Sequence, residues 1–453
     1  MNNKNDETYL NTADVLMKAA ENRADQCIAL RRDLHAYPEI SWTEFRTTAK
    51  VAEYLESAGM DVELGTDVVH PAYAMDYPAA DVLTQHRLRA ISQGASPAII
   101  RRIEEKGGYT GAMVTIEGGQ PGPTAAFRFD MDCNKVQEPE AEDHLPYQQG
   151  FASRNPGCMH ACGHDGHTAM GMVLARILYE NREHLAGRVK VIFQPAEEGV
   201  KGARAMTAKG ILDDVDLVLG MHIYPAEKEY PALAGTQTGL YATRKWTVNF
   251  TGRTAHAGGA PQEGNNAILA AVSAISAMNS FLQDGRGVSR LNIGTIEGGT
   301  GRNVIAGHCR FEGESRGSET VVDERLFEKV QACVKAAAEM YGCEYTIETV
   351  GMSPAGGGDP QLAAQLAEKA LQKVPELKET HAVQVNTGTA DDFCYMMDRV
   401  QGNGGRGCYM ALLSRLDAGL HNERYNFDEK ILLAGVKTCI AALELSGNLL
   451  QKK

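Results

Sequence analysis

The stretch TAAFRFD (124–130), HTAMGMVLARILYEN (167–181), VKVIFQP (189–195), GARAMTAKG (202–210) and DLVLGMH (216–222) decides the fold. Short apolar runs of strand character alternate with longer runs whose apolar residues recur at helical spacing. A strand–helix–strand succession predicts crossovers, and hence an α/β fold with an open, mostly parallel sheet flanked by helices. Upstream, residues 12–58 read as helix, first MKAAENRADQCIALRRDLHAYPE (17–39) and then TEFRTTAKVAEYLESAG (43–59), with Pro38 between them and Gly59 as the stop. Residues 63–108 are polar and helix-permissive, contain Pro71, Pro78 and Pro97, and read as an insertion carried by the first domain.

Downstream, the pattern changes near Gly239. KWTVNFTG (245–252), a helix over about 265–283, SRLNIGTIEGG (289–299), HCRFEGESR (308–316) and a helix over about 322–341 describe a compact α+β unit. After YTIETVG (345–351) the chain returns to elements that complete the first sheet, including GCYMALLS (407–414) and a last helix over 429–447. The expected organisation is a discontinuous domain of residues 1–238 and 354–453, interrupted by an inserted domain of residues 239–353.

The composition, 43% apolar and 23% charged over 453 residues, is that of an ordinary soluble globular chain of two or three domains. Lys plus Arg number 45 against 58 Asp plus Glu, a net charge of -13, which argues against nucleic acid or an anionic membrane as the main partner. An anionic substrate therefore requires a local basic pocket. The opening MNNKNDETYL has no apolar core of a secretory signal, so a cytoplasmic location is expected. AILAAVSAISAM (267–278) is about half the length of a bilayer span and reads as a buried helix. The ten cysteines are expected to be reduced and mostly buried.

In an open parallel sheet, ligands bind beyond the carboxyl ends of the strands. Those positions here hold Asp130 and Asp132, the run HACGHDGH (160–167), Glu197 with Glu198, and His222. Thiolate and neutral imidazole suit ions such as Zn, and the carboxylates also suit Mn. Adjacent carboxylates just past a strand point different ways, so one can ligate a cation while the other moves protons. A purely structural metal in a non-catalytic binding protein would need a closed four-ligand site with no spare base, and Glu197 beside Glu198 speaks against that.

These residues also carry a resemblance over nearly the whole chain. LRRDLHAYPEISWTEFRT (30–47), FRFDMD (127–132), MHACGHDGHTAM (159–170), FQPAEEG (193–199), GMHIYP (220–225), TAHAG (254–258), GRNVIAG (301–307) and GLHNERYNFDE (419–429) resemble the amidohydrolase branch of the M20 metallopeptidase family. Within it, GFASRNPGCMHACGHDGH (150–167) and FQPAEEGVKGARAM (193–206) are similar to the group of aminobenzoyl-glutamate hydrolase subunits. The resemblance implies a metal-dependent hydrolase of N-acyl amino acids, with p-aminobenzoyl-glutamate as first substrate and indole-3-acetyl-aspartate or a broader N-acyl range as the alternative. It implies two divalent ions per subunit, Mn or Zn, with Co or Ni as further options. Cys162, His164, Glu198, His222 and His421 become the expected ligands, with Cys162 shared between the ions. Glu197 becomes the general base and Asp132 a supporting carboxylate. His256, on the inserted lid and dimerisation domain, is expected to reach the active site of a neighbouring protomer as a donor to the tetrahedral intermediate. Asn303, Arg316 and Arg302 are expected at the amino-acid half of the substrate. The implied assembly is a homodimer through the inserted domain, or a heteromer with a similar second subunit.

Two positions depart from the pattern. Cys133 stands where a small residue is usual and reads as packing, and GTADDF (388–393) has Asp391 where Glu is usual, a shorter carboxylate.

Overall fold

Strand Gln120–Asp130 shows how the sheet is held. From Ala125 onward every residue is buried, because alternate side chains of a strand enter opposite faces and both faces are covered. Ala125, Phe127 and Phe129 join an apolar cluster on one side, whereas Ala126 joins a second cluster on the other. The computed structural model describes residues 12–281, 284–386 and 388–448.

The main sheet has eight strands in the spatial order Glu63–Leu64, Ala112–Glu117, Ala186–Gln194, Gln120–Asp130, Leu217–Pro225, Arg406–Ser414, Ala232–Thr238 and Glu379–Val385. The four central strands are mutually parallel, so their carboxyl ends lie along one edge. Helices Thr12–Glu21, Ala24–Ala36, His164–Glu180 and Lys430–Ser446 pack among themselves on one face. Helices Gly202–Ala208 and Phe393–Gly402 cover the other with Trp42, Met206, Phe393, Met397 and Tyr409.

The inserted α+β unit is a four-stranded antiparallel sheet in the order Glu344–Ser353, Ala242–Thr251, His308–Gly317 and Ser289–Gly298. Helices Ala267–Met278 and Thr320–Tyr341 pack on it through Ala267, Ala270, Ala271 and Ala274, small residues that admit close approach to Val330 and Val334. Among the described residues no helix is long and apolar enough to cross a membrane.

Three expectations shift. The helix read over 17–39 is broken by a turn at Asn22–Arg23 into two. The helix expected from Asn265 starts at Ala267, because the Asn266 side chain caps it by accepting from the amides of Ile268 and Leu269. Its expected end at Gln283 lies outside the described residues. His222 lies within its strand rather than after it, since the strand runs on to Pro225.

Candidate metal centre

The central strands deliver their chemistry to a single cleft. Asp130 ends its strand and Asp132 follows, Glu197 and Glu198 follow Ala186–Gln194, and His421 lies in the loop after Arg406–Ser414. Cys162 and His164 enter from the start of helix His164–Glu180. Gly163 between them has φ 91°, and a Cβ there would stand 2.7 Å from the Tyr425 hydroxyl, so only glycine fits between the thiol and the imidazole.

The sulfur of Cys162 is 3.2 Å from His222 Nε2. Nδ1 of His222 donates to the Ile223 carbonyl at 2.8 Å, which fixes the tautomer and leaves the Nε2 lone pair facing the thiol. His421 Nε2 stands 3.4 Å from Glu198 Oε2, and His164 Nε2 lies 3.8 Å from both Glu197 Oε2 and Glu198 Oε1. Among the described residues five groupings have their ligand atoms within 4.8 Å of one another, two of them being Cys162 with His164 and His222, and Cys162 with Glu198 and His421. Cys162 belongs to both. The His421 amide donates to the Ala161 carbonyl at 2.7 Å, tying its loop to the Cys162 loop.

The donor set fits divalent cations on a direct observation. Among the described residues, Nε2 of buried His164 and Oε1 of Glu198 have no hydrogen-bond partner, an expensive arrangement for buried polar atoms unless an ion satisfies them, whereas His164 Nδ1 faces Asp132 Oδ1 at 3.4 Å. Burial, then the neighbouring His167, holds His222 well below its ordinary value, so it stays neutral, the ligating form. Burial and the nearby Glu198 carboxylate push the Cys162 thiol up, a balance that a bound cation reverses. Burial, then Asp391 and Glu198, pushes the Glu197 carboxyl well above the usual range. By contrast His167 is committed, with Nδ1 on Asp130 Oδ1 at 2.6 Å and Nε2 accepting the Ile223 amide at 3.0 Å.

Asp132 acts on backbone. Its carboxylate accepts the amides of Glu197 and Glu198, both at 3.1 Å, and the Ser41 hydroxyl at 2.8 Å.

Not every expected residue comes to this cleft. Arg316 lines it, together with Glu197, Glu198, Tyr224 and Leu420, in a space of about 280 Å³. Fully buried His164 and Asp132 are not among the residues that line it, nor are His256, Arg302 and Asn303 of the inserted unit. His256 is exposed on the inserted unit, its Nδ1 accepting the amides of Gly258 and Gly259 at 3.1 and 2.9 Å, and its strand pairs with Val304, next to Asn303. Cys133 is buried and does not line the cleft.

Sequence reasoning missed Lys245. It lines the cleft beside Arg316 and its Nζ donates to the Glu198 carbonyl at 2.9 Å, bringing a cation from the inserted sheet to the cleft. It also missed the group behind Asp391. Arg128, fully buried, donates to Gln194 Oε1 at 2.7 Å, Asp130 Oδ2 at 2.7 Å, Asp391 Oδ1 at 3.2 Å and Asp392 Oδ1 at 3.4 Å. The hydroxyl of Tyr409 donates to the other oxygen of Asp391, so the shorter carboxylate is held firmly beside Glu197. No periodic pattern announces either.

The family model described as Peptidase family M20/M25/M40 matches residues 126–445. The chain belongs to peptidase family M20. The M20 chain is 40% identical to the indole-3-acetyl-aspartic acid hydrolase of Enterobacter agglomerans over 408 residues, 90% of this chain and 93% of the relative. It is equally 40% identical, with the same coverage, to a p-aminobenzoyl-glutamate hydrolase subunit of Escherichia coli. An aminobenzoyl-glutamate utilization protein from Klebsiella pneumoniae superposes with a TM-score of 0.79 at 34% identity, covering 95% of this chain and 98% of that one. A dinuclear metal-binding peptidase of the M20 family from Bacillus subtilis superposes with a TM-score of 0.63 at 25% identity, covering 95% of this chain and all of that one. The M20 chain is thus a hydrolase of the amidohydrolase type with divalent-metal chemistry.

Proposed function

We propose that this M20 hydrolase cleaves the amide bond of an N-acyl amino acid with an aromatic acyl group and an acidic amino acid. p-Aminobenzoyl-glutamate is the first substrate, and indole-3-acetyl-aspartate the alternative. The observation that carries this reading is the meeting of Lys245 and Arg316 with the thiol, imidazole and carboxylate set in one cleft of about 280 Å³. Two cationic side chains lining an acidic site in a protein of net charge -13, one of them Arg316 with Glu314 at 2.9 Å on its guanidinium, suit a dianionic amino-acid half. The names of the two relatives at 40% identity, one an aspartate conjugate hydrolase and the other a glutamate conjugate hydrolase, speak for the same class.

Cys162, His164, Glu198, His222 and His421 would hold two divalent ions, Mn or Zn, with Co or Ni as substitutes. When bound, the ions supply Lewis acidity and lower the pKa of water. Glu197 is not needed as a ligand and stands as the base. Its carboxylate takes a proton from water at Oε2 and delivers it to the leaving amine nitrogen as the amide C–N bond breaks. Asp132 fixes where Glu197 and Glu198 stand through their amides. Arg316 and Lys245 orient the substrate carboxylates. His256, Asn303 and Arg302 would act on the cleft of a second copy, since they are remote from their own. The assembly is accordingly a homodimer through the inserted unit, or a pair with a similar second chain, since the Escherichia coli relative is itself named as one subunit of its hydrolase. The proposed location is the cytoplasm.

A panel of N-acyl glutamates, aspartates and neutral N-acyl amino acids, assayed on Mn- and Zn-loaded protein, tests the reading. Chelation is expected to abolish turnover and lower the melting temperature, because ions that bind only the native state stabilise it. Metal-loaded protein that cleaves no member of the panel, or chelated protein that cleaves undiminished, would refute it. Replacing Arg316 by Met is expected to raise KM for acidic conjugates about tenfold to a hundredfold, the equivalent of roughly 1.5–3 kcal/mol for a charge-assisted hydrogen bond. Steady-state kinetics on glutamate and alanine conjugates check this, since only the acidic conjugates should respond.

A further inference from the structure

Among the described residues, five non-glycine positions have positive φ: Trp42 at 64°, Asp76 at 48°, Ala196 at 57°, Val200 at 52° and His421 at 63°. Such backbone persists only where its surroundings over-determine it. Ala196 and Val200 bracket Glu197 and Glu198. Inside the loop, the Val200 amide donates to the Glu197 carbonyl at 2.6 Å and the Lys201 amide to the Ala196 carbonyl at 3.0 Å. From the cleft side, Asp132 holds two amides, and the Glu44 carboxylate accepts the Ala196 amide at 2.8 Å. The Met352 amide donates to the Val200 carbonyl at 3.0 Å, and Gly351 comes so close to the Gly199 carbonyl that a Cβ there would stand 2.0 Å from its oxygen.

The remaining support comes from residues 65–77, part of the insertion whose role the sequence left open. The His70 amide donates to the Ala205 carbonyl at 3.0 Å. Trp42 Nε1 donates to the Met75 carbonyl at 2.9 Å, and Asp76 is ion-paired with Lys201. Arg204 reaches the Met75 sulfur at 3.7 Å and lies 5.2 Å from the Tyr73 ring centre. Val68 and Val69 share an apolar cluster with Ala196, Ala203 and Ala205. The segment is anchored in turn, the Thr66 amide donating to the Lys106 carbonyl at 2.8 Å and the Tyr77 hydroxyl to the Gly108 carbonyl at 2.9 Å. None of residues 65–77 lines the cleft.

We infer that residues 65–77 are a positioning brace: clasping Lys201 and Trp42 behind the 195–201 loop, they keep Ala196 and Val200 left-handed and so fix where the Glu197 and Glu198 carboxylates stand. Asp76, Met75 and Trp42 act through the loop rather than on substrate. The inference rests on the proposed function only for its kinetic readout.

The test uses the full-length protein with Asp76→Asn and Lys201→Met combined, and separately Trp42→Phe, which keeps a ring but drops the bond to Met75. The expected result is about tenfold weaker Mn affinity by calorimetry, the scale on which partners behind metal ligands act. Amides 196–202 should exchange with deuterium at least about tenfold faster, and kcat should fall about tenfold with KM held within about twofold. Adding Ala196→Gly, which adopts positive φ without strain, should recover most of the lost affinity and kcat. Wild-type Mn affinity and exchange in the clasp variant would overturn the brace, and so would failure of Ala196→Gly to rescue. If Trp42→Phe does not fold, the clasp variant decides, because Asp76 is half exposed. If the wild type hydrolyses no N-acyl amino acid, the functional reading fails, while Mn affinity and exchange still decide on the brace.

Discussion

Glu197→Gln is expected to lower kcat by about 10²–10⁴-fold, the range over which a positioned acid–base group contributes, with KM and bound metal little changed. The amide side chain is nearly isosteric, and the Glu197 backbone N–H keeps its bond to Asp132 at 3.1 Å, so the loop has no reason to move. What disappears is the capacity to accept and return a proton. Burial, then Asp391, raises the affinity of the wild-type carboxyl for a proton. Single-turnover kinetics with metal analysis on the same samples check this. A metal-replete variant with full activity would remove Glu197 as the base, whereas loss of metal would make it a ligand instead.

Arg128→Met is expected to destabilise the protein by roughly 3–5 kcal/mol, the consequence of removing one side of a buried ion network. Arg128 is completely buried and serves Asp130, Asp391 and Asp392 at once, with its guanidinium 5.6 Å from the Phe393 ring centre. Without it, three buried carboxylates lose their cation, keeping neutral donors such as His167, Tyr409 and the Ala203 amide, and the Gln194 side-chain carbonyl oxygen loses its donor. In the wild type, burial already pushes Asp392 up to about 7 despite that guanidinium. An acid whose native-state pKa exceeds its unfolded value binds more protons when folded, so it subtracts stability as pH rises between the two values. The variant loses the cation that offsets this, so its Asp392 holds its proton to higher pH, and between pH 5 and pH 8 its deficit should grow mainly as pH passes about 7, the wild-type value. Urea unfolding across that range is the measurement, and a deficit independent of pH would show that the carboxylates are not what the loss exposes. Because Asp391 stands beside Glu197, kcat should fall as well, even under conditions where the variant is folded.

Much of this was legible in the chain. The short apolar runs TAAFRFD and VKVIFQP, with helical spacing between them, suffice for the parallel sheet, since a strand buried on both faces and a crossover helix leave different side-chain patterns. Parallel strands put their carboxyl ends on one edge, so Asp132, Cys162, His164, Glu197 and Glu198 could be gathered before any coordinates. His421 rests on its motif alone, and its place opposite Glu198 depends on a hydrogen bond from its backbone amide to the Ala161 carbonyl that no local pattern encodes.

The sequence by itself determined which chemistry is available and which segments are periodic, because these depend on residue type and on neighbours a few positions away. Only tertiary structure decided that Lys245 faces the cleft and that Arg128 gathers three acids. It alone placed left-handed Ala196 and Val200 against the insertion. Each of these depends on side chains or backbone brought together from distant parts of the chain, and an isolated lysine, arginine or alanine carries no local preference that would announce its partner.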